Sequence, residues 1–508
     1  MKRTSSPGLH ASSLAGPSTS SNKRPRGEDS AATNPPAPET STSSAQTGLQ
    51  APSSSTLQTQ SLTAPLKTPA FQKPACIATF SYDQDRRVHH DNSSLGVYHP
   101  PPSPQFNRQA DRGRGRVCGP DLNYGYERWI RRDETVDEHL DSLLIALQHK
   151  ASSPKGASTD AQQDQERDRD RARADVITWR GIATKLCTAV FAENDYDAWQ
   201  LNAMKIGQTV YLEEFVSAHS RTQKAVMTDQ RQLGFMYQGY AFESWCVSPA
   251  IPETQPEGQS KDGAGGREPP PPPGWGGFIN NNVQWCAICK TTLGSNRLVI
   301  GGEVDCIQPS ALSKFSSASA LLNTPFLNPD DFVELKTTAE IRTERDAERF
   351  EGLKMLRFYF QSFLLGVPTI VTGFRDRIGY LADVRSFKTL ELPRIVRERD
   401  PDLNAGHGLA FAEQTLHWIR DSINKDTQDG PSTLPELEDA ERTFPVYRIS
   451  FMPFGARAGA KRSRGGTLSI RRLAETEVAE DIKGGADMGR VGFVPSSFYA
   501  FARERLTG

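Results

Sequence analysis

Two carboxylates stand one residue apart in "LVIGGEVDCI" (298–307), where Glu303 and Asp305 interrupt an otherwise apolar run. A strand turns successive side chains to opposite faces, so both acids would share one face. Like charges so placed repel, and burying them without a partner is costly. "DFVELKTT" (331–338) repeats the device with Glu334 and Lys336, two residues apart among Phe332, Val333 and Leu335. On neighbouring strands, the two pairs would project into a common cleft. Hard divalent cations such as Mg²⁺ take carboxylate oxygens, and an ion between these acids would relieve their repulsion. It would also polarise a phosphoryl oxygen and activate water, while a lysine on the same face orients the nucleophile or neutralises developing charge. The chemistry that fits is metal-dependent hydrolysis of a phosphoester.

Two further polar residues join this set. Gln361 follows on the next helical stretch, with Lys354 and Arg357 seven and four residues earlier on roughly its face. Glu243 closes "RQLGFMYQGYAFESWC" (231–246), which reads as a helix with Met236, Tyr240 and Glu243 at i, i+4 and i+7. An acid on one strand and Glu-x-Lys on the next is the arrangement of PD-(D/E)xK nucleases. The bland alternative is that alternate acids mark the wet face of half-exposed strands. Two pairs in this order, each inside an apolar run and followed by a polar helical residue, favour the site.

The elements that must position these groups follow from periodicity. Strands are expected at about 283–290, 297–307, 331–338 and 368–376, and a helix at about 344–365. A further helix is expected over 133–149, with Asp133 as N-cap and Val136, Leu140, Leu143, Leu144 and Leu147 at helical spacing. "DVITWRGIATKLCTAVF" (175–191) is mostly apolar, interrupted by Arg180 and Lys185. Strands and helices alternate through the middle of the chain, which predicts a mixed α+β core.

Much of the 508-residue chain has a different composition. Residues 1–74 are rich in Ser, Thr, Pro, Ala and Gln and nearly lack aromatics, so they read as a disordered tail. Shifts at about 151–171 and 249–276, the latter including Pro269 to Pro273, read as solvated insertions in a single domain spanning 75–508. A net charge of −1 excludes a histone-like binder, leaving local basic patches. The run at 457–472 (Arg457, Lys461, Arg462, Arg464, Arg471, Arg472) and the weaker "RGRGR" at 112–116 are read as solvated loops. Seven scattered cysteines, and an N-terminus without an apolar signal-peptide core, indicate an intracellular chain with reduced thiols. The longest apolar stretch, 362–374, is too short to span a bilayer, so no membrane partner is expected. Lys23 to Arg26 reads as a nuclear-import signal, with the cytoplasm as the alternative compartment. Cys286 and Cys289 have C-x-x-C spacing but no second ligand pair, and read as ordinary thiols.

"WRGIATKL", "MYQGYAFE", "GGEVDC", "VELKTT" and "FQSFLLGVPTIVTGFRD" together resemble the DXO/Rai family of RNA 5′-end decapping nucleases. The likeness covers most of 75–508, weakly through "FSYDQDRR" (80–87) and "DLNYGYERW" (121–129), strongly over 175–390. It implies two twisted mixed β-sheets flanked by helices, hydrolysing triphosphate, unmethylated guanosine-capped or NAD-capped RNA 5′ ends. By motif, the resemblance makes Glu243, Asp305 and Glu334, with the carbonyl of Leu335, ligands of Mg²⁺ or Mn²⁺. Glu303 would hold a water of the ion's shell or a second ion. Lys336 and Gln361 would face the nucleophile and scissile phosphate, and Trp179, Arg180 and Gly181 would contact RNA. Cys286 matches a substrate-contacting position, which replaces its reading as an ordinary thiol; Arg86 and Glu138 match more loosely. The family also implies a nuclear partner, a Rat/Xrn-type 5′→3′ exoribonuclease. The other classes open at this point are a non-catalytic subunit of that exoribonuclease and a DNA nuclease.

Overall fold

Between Glu303 and Cys306 the chain leaves one β-sheet and enters another. The computed structural model describes residues 54–58, 67–107, 116–152, 174–194, 197–226, 229–251, 270–325, 327–427, 434–455, 464–484 and 489–507. Eight elements build the region of interest. Strand β1 (Val176–Trp179) runs straight into helix α1 (Arg180–Thr188), and helix α2 spans Gln230–Cys246. Strands β2 (Gln284–Leu293), β3 (Asn296–Glu303) and β4 (Phe332–Ala339) follow. Helix α3 (Met355–Phe363) leads to strand β5 (Thr369–Arg375).

The larger sheet has ten strands among the described residues. From one edge they run Ser54–Gln58, Gly466–Arg472, Tyr447–Pro453, Trp199–Ile206, Thr209–Glu214, β1, β3, β2, Ala75–Tyr82 and Val88–His89. β1 pairs in parallel with both neighbours, and the other pairings are antiparallel. β3 is apolar on both faces because both are covered. Leu298 and Ile300 join the core shared with Ile182 and Leu186 of α1, while Val299 joins the core of Leu140, Leu143 and Leu144.

The smaller sheet holds Val247–Pro249, Gly96–Tyr98, Cys306–Ile307, β4, β5 and Leu381–Lys388. β4, α3 and β5 form a parallel crossover unit. Alternation along β4 sorts its side chains. Val333 and Leu335 enter the core of α2 with Tyr237, Ala241 and Phe242, while Phe332 enters the core that includes Phe360 of α3. Glu334 and Lys336 share the Phe332 face and so point toward the gap between the sheets.

Four expectations are corrected. The first helix starts at Asp141, not Asp133. Asp133 accepts from Thr135 in a turn, and His139 adopts φ 48, which no helix continues. The strand expected over 297–307 breaks at Val304 and Asp305, where the sheets part. The helix expected over 344–365 is Glu344–Arg349 and α3 joined by a wide turn, with Gly352 out of helical geometry. Within the tail span 1–74, Ser54–Gln58 pairs along Gly466–Arg472, and Phe71 packs on Phe363 with ring centroids 4.4 Å apart. The rest of 1–66, residues 153–173 and 252–269 of the insertions, Lys23 to Arg26, residues 112–115 and residues 457–463 lie outside the described residues. The described part of the basic run is neutralised. Arg464 pairs with Asp400 and Glu193, Arg471 with Glu477, and Arg472 with Asp426. Among the described residues no helix is long and apolar enough to cross a membrane.

Candidate active site

The crossing from sheet to sheet sets the site. Glu303 ends β3, Val304 is buried, and Asp305 emerges again on the Glu303 side, so extended alternation survives the break in pairing. Cys306 pairs with Val333 and Ile307 with Phe332, and the short antiparallel strand begins only at Cys306. Leu335 therefore has no strand neighbour on that edge, and its N–H donates to Asp305 Oδ2 at 2.6 Å. A strand residue directs its N–H and C=O to the same edge, so the Leu335 carbonyl faces the cleft as well.

Glu243, Glu303, Asp305 and Glu334 act on one another electrostatically. Burial pushes Glu243 well above the usual carboxylate range, and repulsion from Asp305 and Glu303 adds to it. Burial and then Glu334 push Asp305 up to about 7. Burial also raises Glu303, with Arg180 offsetting part of the effect. Glu334 differs. Burial works against its charge, yet Arg180 and Lys336 outweigh burial and hold it below the ordinary value. Arg180 donates to Glu334 Oε2 at 2.9 Å, and Lys336 Nζ stands 2.5 Å from Oε1. In return Glu334 and Asp305 keep the half-buried Lys336 ammonium charged.

The adjacent glycines of "GGEVDC" let this happen. A Cβ on Gly301 would lie 2.9 Å from the Trp179 ring and 2.5 Å from Leu143, and one on Gly302 would lie 3.0 Å from Arg180 Cβ. Only bare backbone lets Trp179 and Arg180 pack so close to β3. Trp179 is fixed by its indole N–H, which donates to the carbonyl of His139 at 2.9 Å.

Arg86 and Glu138 form a two-pronged ion pair at 2.7 and 2.8 Å. Arg86 also donates to Gln284 Oε1 at 2.5 Å, and Gln284 Nε2 donates to Glu303 Oε2 at 3.0 Å. This relay joins the loosely matched pair to the acids. Cys286 faces Glu303 across the β2–β3 register, and burial raises its thiol, so the sulfur is neutral. Gln361 meets Arg180 and Gly181 along a groove of about 520 Å³ that begins beside the acids. Every proposed site residue is thus brought into one region. Lys354 is not. It turns to Thr338 Oγ1 at 2.7 Å, and burial lowers it to about 8. Gln284 was missed by sequence reading, although its period-two spacing from Cys286 was the available signal.

The oxygen-rich donors suit a hard cation, and Glu334 Oε1 is buried with the Lys336 ammonium 2.5 Å away. Among the described residues, no three carboxylates, imidazoles or thiols already stand at a spacing that would enclose an ion. Arg180 and Lys336 occupy the Glu334 oxygens instead.

Residues 72–466 match the model of a family described as "RAI1 like PD-(D/E)XK nuclease". The chain is 37% identical over 482 residues to the decapping nuclease RAI1 of Mycosarcoma maydis, covering 86% of this chain and 89% of that protein. It is 29% identical to the human decapping and exoribonuclease protein, covering 76% and 86% of the two. Its fold is similar to the crystal structure of Candida albicans Rai1 in complex with pU5 and Mn²⁺, with a TM-score of 0.58 and 20% identity, covering 89% of this chain and 99% of that one.

Proposed function

Because this chain belongs to the RAI1 like PD-(D/E)XK nuclease family, we propose that it hydrolyses abnormal RNA 5′ ends at the Glu243–Glu303–Asp305–Glu334–Lys336 cluster. It is an RNA 5′-end decapping nuclease. The ends we assign to it are a triphosphate, an unmethylated guanosine cap and an NAD cap. The observation that carries the reading is Glu334, buried between Arg180 and Lys336 on the strand beside Asp305.

Glu243, Asp305 and Glu334, with the Leu335 carbonyl, would hold Mg²⁺ or Mn²⁺, and Glu303 a water of its shell or a second ion. When bound, the ion supplies Lewis-acid polarisation of a phosphoryl oxygen and makes nearby water more acidic. The side chains do the rest. Arg180 keeps Glu334 ionised and oriented. Asp305 anchors the backbone that carries the Leu335 carbonyl. Lys336 sets a positive charge where phosphoryl charge grows, and the Gln361 amide can bond the nucleophile or the scissile phosphate. Trp179, Arg180 and Gly181 guide the RNA, while Arg86, Glu138 and Cys286 line the Glu303 end.

Asp305→Ala and Glu334→Ala should abolish hydrolysis of every 5′ end and weaken Mn²⁺ binding in calorimetry. Lys336→Ala should retain Mn²⁺ yet lose on the order of 10²–10³ in single-turnover rate, the usual loss for one electrostatic group. Wild-type affinity and activity in Asp305→Ala would overturn the assignment. We also assign a Rat/Xrn-type exoribonuclease as partner, in the nucleus, entering the 5′-monophosphate end that this hydrolysis leaves. Failure of the two proteins to co-purify would count against that pairing.

A further inference from the structure

A polar row crosses the larger sheet where its neighbours are apolar. Glu213, on strand Thr209–Glu214, stands opposite Asn202, and Asn202 stands opposite Arg448 on strand Tyr447–Pro453. All three are buried, on the face where Met204 and Tyr211 join the core of Leu140 and Leu143. They are linked end to end. Arg448 Nε donates to Asn202 Oδ1 at 2.8 Å, and Asn202 Nδ2 donates to Glu213 Oε1 at 2.7 Å. Desolvation offsets the attraction within such a row, so it adds little stability over packed apolar residues. Its role lies in what it orients. The second oxygen of Glu213 lies 2.7 Å from His139 Nδ1, with only 4% of the His139 side chain and 3% of the Glu213 side chain exposed.

His139 sits where the chain needs holding. Its φ of 48 is a left-handed conformation that residues other than glycine seldom adopt, and it falls just before the helix that starts at Asp141. Its N–H donates to Asp137 Oδ1 at 3.2 Å, while Asp137 Oδ2 accepts from Arg221 at 2.6 Å. Its carbonyl accepts the Trp179 indole N–H at 2.9 Å. Ile177 of β1 stands opposite Tyr211, so Trp179 and Glu213, each two residues on, share a face, and His139 is tied to both. Glu138, between Asp137 and His139, carries the two-pronged pair to Arg86. One residue thus serves both sides of the cleft, Trp179 through its carbonyl and Glu138 through the turn they share.

Resting on the decapping reading, we propose that His139 is a positioning residue for RNA 5′ ends, and that Glu213, Asn202 and Arg448 form the buttress that holds it. It touches no reacting atom. The imidazole, locked on Glu213, keeps residues 137–139 in their turn. The turn keeps Glu138 on Arg86 at the Glu303 end, and the His139 carbonyl keeps Trp179 against β3. Release of the ring would loosen both contacts at once. These contacts hold the substrate before and during the reaction alike, so their loss falls on affinity and not on turnover.

The test separates affinity from rate. Fluorescent 5′-triphosphorylated RNA is titrated into the full chain carrying Asp305→Ala, and single-turnover hydrolysis is followed in the otherwise wild-type chain, with thermal melting as a folding check. Glu213→Leu leaves the imidazole without its partner. It should raise Kd roughly five- to tenfold, the equivalent of about one hydrogen bond, and leave the saturated rate within about twofold. Asn202→Leu, one link further back, should act in the same direction by about two- to threefold. Glu213→Gln should keep the wild-type Kd, because its amide oxygen still accepts from the ring. His139→Asn should keep it too, since asparagine carries a side-chain N–H donor and tolerates the left-handed backbone. Lower melting temperatures in Glu213→Leu and Asn202→Leu with unchanged Kd would make the row purely structural and overturn the proposal. So would a loss confined to the rate, or a loss in Glu213→Gln equal to that in Glu213→Leu. If the wild-type chain hydrolysed no RNA while this order of Kd held, the decapping reading would fail and the positioning role would stand.

Discussion

Replacing Arg180 by methionine would leave Glu334 buried with only one of its two cations. Arg180 is 8% exposed and Glu334 is fully buried, so solvent cannot screen the lost charge. Removing one partner of a buried pair costs about 3–5 kcal/mol, chiefly because the remaining charge stays desolvated. Two features put the expected cost at the low end. Lys336 still stands 2.5 Å from Glu334, and methionine preserves the packing of the arginine stem against β3. We therefore expect a loss of about 3 kcal/mol, which a domain of ordinary stability survives. Urea unfolding in EDTA measures it. Added Mn²⁺ should then return more stability to Arg180→Met than to the wild type, because Glu334 regains a positive partner and no guanidinium competes for it. Each tenfold gain in Mn²⁺ affinity would appear as about 1.4 kcal/mol of extra stabilisation when the ion is in excess. An unchanged midpoint in EDTA would refute the energetic argument. Equal stabilisation of both proteins by Mn²⁺ would refute the role of Glu334 as a ligand.

Two further outcomes are expected away from the reacting atoms. His139 Nδ1 lies 2.7 Å from Glu213 in a buried pair; burial opposes the charged imidazole, but Glu213 outweighs it and holds His139 above its ordinary 6.5. A raised value means the folded state holds its proton longer, so this stabilisation is complete below about pH 6.5 and fades as pH rises through the folded value. Burial also raises Glu213, which has the same sign. Thermal melts should fall with rising pH more steeply in the wild type than in His139→Asn, and equal slopes would remove the pair as the cause. Gly301→Ala should cost about 1–3 kcal/mol through overpacking against the Trp179 ring, read as a lower urea midpoint. If its midpoint matched the wild type, the close approach of Trp179 to β3 would not constrain that position.

The acids were legible in the sequence because strands broadcast their faces. Glu303 and Asp305, then Glu334 and Lys336, alternate with apolar residues, and that pattern survives even where β3 ends and the sheets part. Pairing partners were not legible to the same degree. That Leu335 would lose its strand neighbour, and so free its backbone for Asp305, depends on the antiparallel strand Cys306–Ile307 beginning only at Cys306. Nor could local pattern show that Arg180 reaches Glu334 across 154 positions, or Arg357 reaches Asp197 across 160. The strands Trp199–Ile206 and Tyr447–Pro453 went unread because both lie within the large sheet, where partners far apart in sequence define them. The kink before α3 shows the converse case. Its residues favour helix apart from Gly352, which leaves helical geometry, and Lys354 bonds Thr338 while Arg357 and Gln361 face the groove together. Lys354 lies on the α3 side of that break, so its engagement with Thr338 is set by the neighbouring strand β4, while Arg357 and Gln361 form the wall that meets solvent. The chemistry of this chain was therefore written in side-chain types and period, and the division of labour among its cations in tertiary contacts alone.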